Sequence, residues 1–123
     1  MKHALALITA CFALALTSLA EQPATVHLTW IDPNNVTDID HYCVYYGKTS
    51  GSLSNFTEIP MPEPPPVSSN RGGNVTIASS GIWFFHVTAV GTNGLESLPS
   101  NEVSTEVVCK PETPTNLTVT QIK

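Results

Sequence analysis

Between residues 81 and 90 apolar and polar positions follow a period of two. Trp83, Phe85, Val87 and Ala89 fall on one face, and Ile82, Phe84, His86, Thr88 and Val90 on the other. Alternation rich in aromatic and β-branched residues predicts a strand with one face in a core. Asn93-Gly94 follows, a dipeptide suited to a tight turn because both residues accept positive φ. A second strand is predicted from about Asn101. The same period recurs upstream. Val26, Leu28 and Trp30 alternate with His27 and Thr29, and Tyr42, Val44 and Tyr46 alternate with Cys43 and Tyr45. Residues 56–61 read as an edge strand, where Pro60 and Pro62 cost no ladder hydrogen bond. Val75 and Ile77 mark one more strand.

The predicted core is Val26, Leu28, Trp30, Tyr42, Val44, Tyr46, Val75, Ile77, Trp83, Phe85, Val87 and Ala89. Truncating Trp30 to Ala in such a core is expected to cost roughly 3–5 kcal/mol. Between the strands lie breakers. Residues 32–40, DPNNVTDID, read as a turn-rich acidic loop, and residues 47–51, GKTSG, as a turn. Residues 62–66 form a short polyproline-like connection that also blocks the edge. Arg71-Gly72-Gly73 is expected at the tip of a polar loop, and residues 79–81 form the turn before the central strand.

An aromatic, alternating apolar residues ending in Ala, a Gly turn and an ES-x-PS-N segment resemble the F strand, FG loop and G strand of a fibronectin type III domain. The Y-x-V-x-Y at residues 42–46 resembles strand C of that family, and Val26, Leu28 and Trp30 resemble strand B. The resemblance covers nearly all of residues 26–107. It implies an all-β, immunoglobulin-like β-sandwich. The chain departs from the family at one corner. Trp83 stands where a tyrosine would tie its hydroxyl back to the backbone, so that tie is expected to be altered or lost.

A second departure lies at the N-terminal side, where residues 21–25, EQPAT, are too short for a full strand A. Residues 110–123, KPETPTNLTVTQIK, resemble instead a linker followed by a strand A. The expectation is that Leu117, Val119 and Ile122 form a strand donated head to tail to a neighbouring subunit. A disordered tail, a tail packed on its own domain, or one piece of a tandem array are the alternatives.

Composition narrows the class. A chain of 123 residues suffices for one modest core. Residues 1–20 read as a secretory signal peptide: Lys2 supplies the positive end, residues 4–16 the apolar run, and Ser18 and Ala20 the small residues of a cleavage site before Glu21. A lipidated Cys11 is the rival reading, but only about five apolar residues precede it and the apolar run continues beyond. The run is too short for a comfortable membrane span. The domain then occupies residues 21–109 and the tail residues 110–123, in a secreted, extracellular or periplasmic protein. Removing Lys2 from five basic residues leaves four against ten acidic, so no basic stripe drives binding to nucleic acid.

Candidate chemistry is sparse. No nucleophile–base order, phosphate loop or rigid carboxylate pair is recognisable, and Glu58 and Glu63 fall on an edge strand and a proline-rich loop. The expectation is a protein that is not an enzyme and takes no cofactor. The aspartates of residues 32–40 invite a calcium reading, but their spacing is not that of an EF-hand and no Glu closes the loop. Cys43 and His86 suggest a metal pair without third and fourth ligands. An even count of Cys43 and Cys109 in an oxidising compartment makes a bridge the default. The implied fold separates them toward opposite poles, which favours free thiols or an intermolecular link. Asn35, Asn55, Asn74 and Asn116 begin N-x-T sequons, which matter only in a eukaryotic secretory pathway.

The face opposite the core is more informative. Cys43, Tyr45, Ile82, Phe84, His86 and Val90 are expected to point outward together, and an apolar outward sheet face marks an interaction surface unless a loop or the tail covers it. Three functions follow: a binding or adhesion module acting through its loops and this face, a structural subunit assembling through its tail, or a carbohydrate-associated accessory module.

Overall fold

The alternating stretches of residues 26–90 become strand, whereas the alternating tail segment around Leu117 and Val119 does not. In the computed structural model, which describes residues 21–122, the strands are β1 (Glu21–Gln22), β2 (Ala24–Ile31), β3 (Ile39–Gly47), β4 (Asn55–Pro60), β5 (Asn70–Ile77), β6 (Gly81–Gly91), β7 (Val103–Val107) and β8 (Lys110–Pro111). A short 3-10 turn, Val36–Asp38, is capped by the Asn35 side chain. All pairings are antiparallel. β4, β3, β6 and β7 form a four-stranded sheet in that order, β2 pairs β5, and β1 pairs β8. The signal-peptide reading falls on residues 1–20, outside the described residues. Among the described residues no helix is long and apolar enough to cross a membrane.

The two larger sheets pack through their inward faces. Val44, Val75, Ile77 and Phe85 are almost wholly buried, and Trp83, Val107 and Cys109 complete the cluster. Val26, Leu28, Trp30, Tyr46 and Val87 pack against it but remain half-buried. Tyr42 is buried as expected, whereas burial of Ile39, Val107 and Cys109 was not predicted.

Arg71-Gly72-Gly73 does not form a loop tip. These residues lie inside β5, opposite Trp30, Thr29 and Leu28 of β2. The reason is room for a neighbour. A Cβ on Gly73 would come 2.8 Å from Ile59 Cδ1, so the glycine lets Ile59 of β4 close over β5. That contact seals one long side of the sandwich. The other long side, where β2 faces β7, carries no such seal, and the inward-facing Val103 and Thr105 of β7 are exposed.

The turn after β6 also differs from expectation. Only Gly94 has positive φ, at 85°. Gly94 N–H donates to the Gly91 carbonyl, and Asn93 Oδ1 accepts from the Leu95 amide. β7 begins at Val103 because the preceding segment is held differently. The Ser97 and Ser100 amides donate to the Ala89 and Val87 carbonyls at 2.8 and 2.9 Å. In return Ser97 Oγ and Ser100 Oγ accept from the Ala89 and Val87 amides. Two serine hydroxyls thus replace backbone carbonyls beside β6.

Candidate functional site

Register places three rings in one row. Tyr45 lies opposite Phe56 of β4 and opposite His86 of β6, on the outward face of the four-stranded sheet. The Tyr45 ring centroid is 5.9 Å from that of Phe56 and 5.1 Å from that of His86. Phe84 and Ile82 continue the face along β6, opposite Ser104 and Glu106 of β7. Phe56 is 58% exposed and Ile82 49%, while Tyr45, Phe84 and His86 are half-buried. A water-facing sheet surface is ordinarily polar, and these five side chains together make this one largely aromatic and apolar. Phe56 was read only as edge strand. Its place in the row follows from the β3–β4 register, which the sequence does not state.

Tyr45 is fixed in place. Its hydroxyl donates to Glu96 Oε2 at 2.5 Å, and Thr88 Oγ1 donates to the same oxygen at 2.6 Å. The hydrogen bonds from Thr88 and Tyr45 hold the Glu96 carboxyl below its ordinary range. The same bond to Glu96, with some burial, pushes the Tyr45 phenol up to about 12. The turn after β6 delivers Glu96 here, and the residue bridges Val90.

That delivery corrects one expectation. Cys43 points to the outward side, opposite Glu58 and Thr88, but it is 6% exposed and adds nothing to the open surface. Burial foremost, then the charges of Glu96 and Glu58, pushes its thiol up. Val90 is half-buried beside the Glu96 bridge. The loop thus covers one end of the face, and the end carrying Phe56, Tyr45, His86, Phe84 and Ile82 stays open. Cys43 faces Thr88 while His86 faces Tyr45, so Cys43 and His86 are not cross-strand partners. Among the described residues no group of three His, Cys, Asp or Glu is arranged to hold a metal ion. Cys43 and Cys109 are both free and buried. An intermolecular link between them therefore requires local opening of two packed sites.

A second polar cluster escaped the sequence reading. Asp32 is 5% exposed rather than part of a solvated acidic loop. Tyr42 donates its hydroxyl to Asp32 Oδ2 at 2.6 Å, and buried Arg71 donates from Nε to the Tyr42 oxygen at 3.0 Å. Asn34 donates to Asp32 Oδ1 through its amide and its side chain. Arg71 also donates to the Ser68 and Asn70 carbonyls. Burial by itself would raise the Asp32 carboxyl, but the bonds from Tyr42 and Asn34 outweigh it and hold the group low. Burial, then the bond to Asp32, pushes Tyr42 up to about 12. Every member is engaged within the protein, so the cluster pins the loops after β2 and before β5. An inward tyrosine followed far downstream by an arginine carries no local pattern. The β2–β5 pairing sets Arg71 beside the end of β2, and packing of the β3 sheet against that pair brings Tyr42 to it.

Of the expected strand donors, Leu117, Val119 and Ile122 are all exposed on the tail. The tail's first residues pair within the chain, Lys110 opposite Gln22 and Pro111 opposite Glu21. No family model matches the chain, and no curated protein matches it.

Proposed function

We propose that this chain is a secreted, non-enzymatic fibronectin type III-like module that binds a protein partner through the outward face of its four-stranded sheet. The observation that carries the reading is the row of Phe56, Tyr45 and His86, continued by Phe84 and Ile82. Because Glu96 already holds Tyr45, that side chain loses little freedom on contact, which lowers the cost of association. Aromatic side chains of this kind dominate contact energies when they become fully desolvated. The sheet order and the Trp83 tie to the Ser79 carbonyl support the family resemblance.

The face suits side chains better than sugar. The Tyr45 ring is tilted by 37° to Phe56 and by 44° to His86, so the row offers no flat platform for a pyranose. Phe56→Asp with Phe84→Asp tests the reading. The parent chain and this variant are compared for saturable binding to proteins of the source's envelope and culture fluid, and on a glycan array. The expected result is protein binding that falls at least tenfold in the variant, with an unchanged urea midpoint. Equal binding by both proteins, no protein binding at all, or binding to glycans alone overturns it.

A further inference from the structure

β2 pairs β5 along one edge, and among the described residues no strand pairs with its other edge. Beside that free edge lies a groove of about 540 Å³. Leu28 and Trp30 of β2, Val87 and Ala89 of β6, and Val103 of β7 line it. Register turns all five toward the core, yet the first four are only half-buried and Val103 is 45% exposed. Trp30 also holds a buried indole Nε1–H with no hydrogen-bond partner among the described residues. A further strand along β2 would supply what this side lacks: apolar side chains over the groove and backbone groups for the β2 edge.

The same chain carries a segment of that pattern, which pairs with no strand among the described residues. In residues 116–120, NLTVT, Leu117 and Val119 alternate with threonine, and they are 99% and 94% exposed. Ile122 has the opposite parity, so in a regular strand it faces away from the surface that Leu117 and Val119 address.

We infer that the groove receives the tail of a second copy, running antiparallel to β2 with Leu117 and Val119 inserted. Direction selects the second copy. β8 pairs β1, so the tail leaves the domain at the pole where β2 begins. The groove lies at the far pole, beside the end of β2, and Pro33, Leu98 and Pro99 frame it. A tail laid along its own β2 would run parallel to it. A tail arriving from a copy stacked on the far pole meets the groove first and runs antiparallel, the slightly more stable pairing. Groove and tail are different surfaces, and each copy offers one of each. The contact is therefore heterologous and propagates head to tail. It does not use the aromatic sheet face, so either site can fail alone.

The test compares the full chain with Leu117→Asp/Val119→Asp by sedimentation over a wide concentration range. A labelled peptide of residues 112–123 is then added to the variant, whose own tail cannot compete. Carrying Trp83→Phe in addition makes Trp30 the only tryptophan signal. The expected results are a parent mass that at least doubles with concentration, a variant that stays monomeric with an unchanged urea midpoint, and saturable peptide binding that shifts Trp30 fluorescence. A parent that stays monomeric at millimolar concentration overturns the inference, whether its tail is free or lies in its own groove. So does assembly that survives the double substitution, or a peptide that does not bind.

Discussion

The indole of Trp83 donates from Nε1 to the carbonyl of Ser79, four residues upstream, over 2.9 Å. The turn between β5 and β6 is thereby tied to the first inward side chain of β6. Of the two outcomes expected when tryptophan replaces tyrosine, the tie is altered and not lost: a ring nitrogen makes it instead of a hydroxyl. Lys48 reinforces the corner, with its Nζ 5.3 Å from the Trp83 ring centroid and donating to the Ser80 carbonyl. Trp83→Phe removes the donor and some packing while keeping an aromatic ring. The expected loss is about 1–3 kcal/mol in urea denaturation. A midpoint equal to that of the parent would show that the tie carries no stability.

Packing depth separates two residues that look alike in the sequence. Phe85 is 1% exposed at the centre of the cluster, whereas Trp30 lies half-buried along the open groove. Phe85→Ala is expected to cost roughly 3–5 kcal/mol because a closed site cannot collapse around the void. Trp30→Ala is expected to cost less in the monomer despite deleting the larger ring. Equilibrium unfolding of both variants at low protein concentration decides. The reverse order would place Trp30, not Phe85, at the centre of the core.

The pair of Asp32 and Tyr42 sets limits on stability at both ends of the pH scale. The folded Asp32 carboxyl titrates below its unfolded range, so its contribution is present above about pH 4 and fades as pH falls through the lowered value. The folded Tyr42 phenol is raised to about 12, so its contribution is full below about pH 10 and fades as pH rises toward the folded value. Asp32→Asn should flatten the acid limb and cost about 1–3 kcal/mol at neutral pH, where Tyr42 and Arg71 lose an anionic acceptor. Thermal unfolding from pH 2 to 11 checks this. An acid limb identical to the parent's would remove Asp32 from the account.

Cysteine chemistry should be slow in the native state. Cys43 and Cys109 are 6% and 5% exposed, and Cys109 donates its thiol toward the Ile77 carbonyl. With the Cys43 thiol pushed up by burial, little thiolate is available at neutral pH. Modification by a small disulfide reagent, mapped by mass spectrometry, is expected at neither position until denaturant opens the fold. Rapid labelling of Cys43 under native conditions would contradict its burial beneath the Glu96 loop.

Local pattern determined much of this protein. A period of two located β2, β3 and β6, and the choice of inward residues at Val44, Val75, Ile77, Trp83 and Phe85 followed from it, because strand geometry sends alternate side chains to opposite faces. The same rule put Tyr45, Ile82, Phe84 and His86 on the outward side. Tertiary pairing decided what no local pattern carries. Arg71-Gly72-Gly73 looks like a loop tip, yet the β2 ladder and the approach of Ile59 make it strand. Cys43 alternates outward with Tyr45, yet Glu96, far downstream, closes over one and props up the other. Asp32, Tyr42 and Arg71 carry no signal as separate residues, and strand pairing together with the packing of one sheet on the other sets their charges and hydroxyl within hydrogen-bond reach. The open groove is likewise a property of an edge, and an edge exists only once strands have chosen their partners. Alternation specifies which way a side chain faces; what meets it there depends on residues tens of positions away.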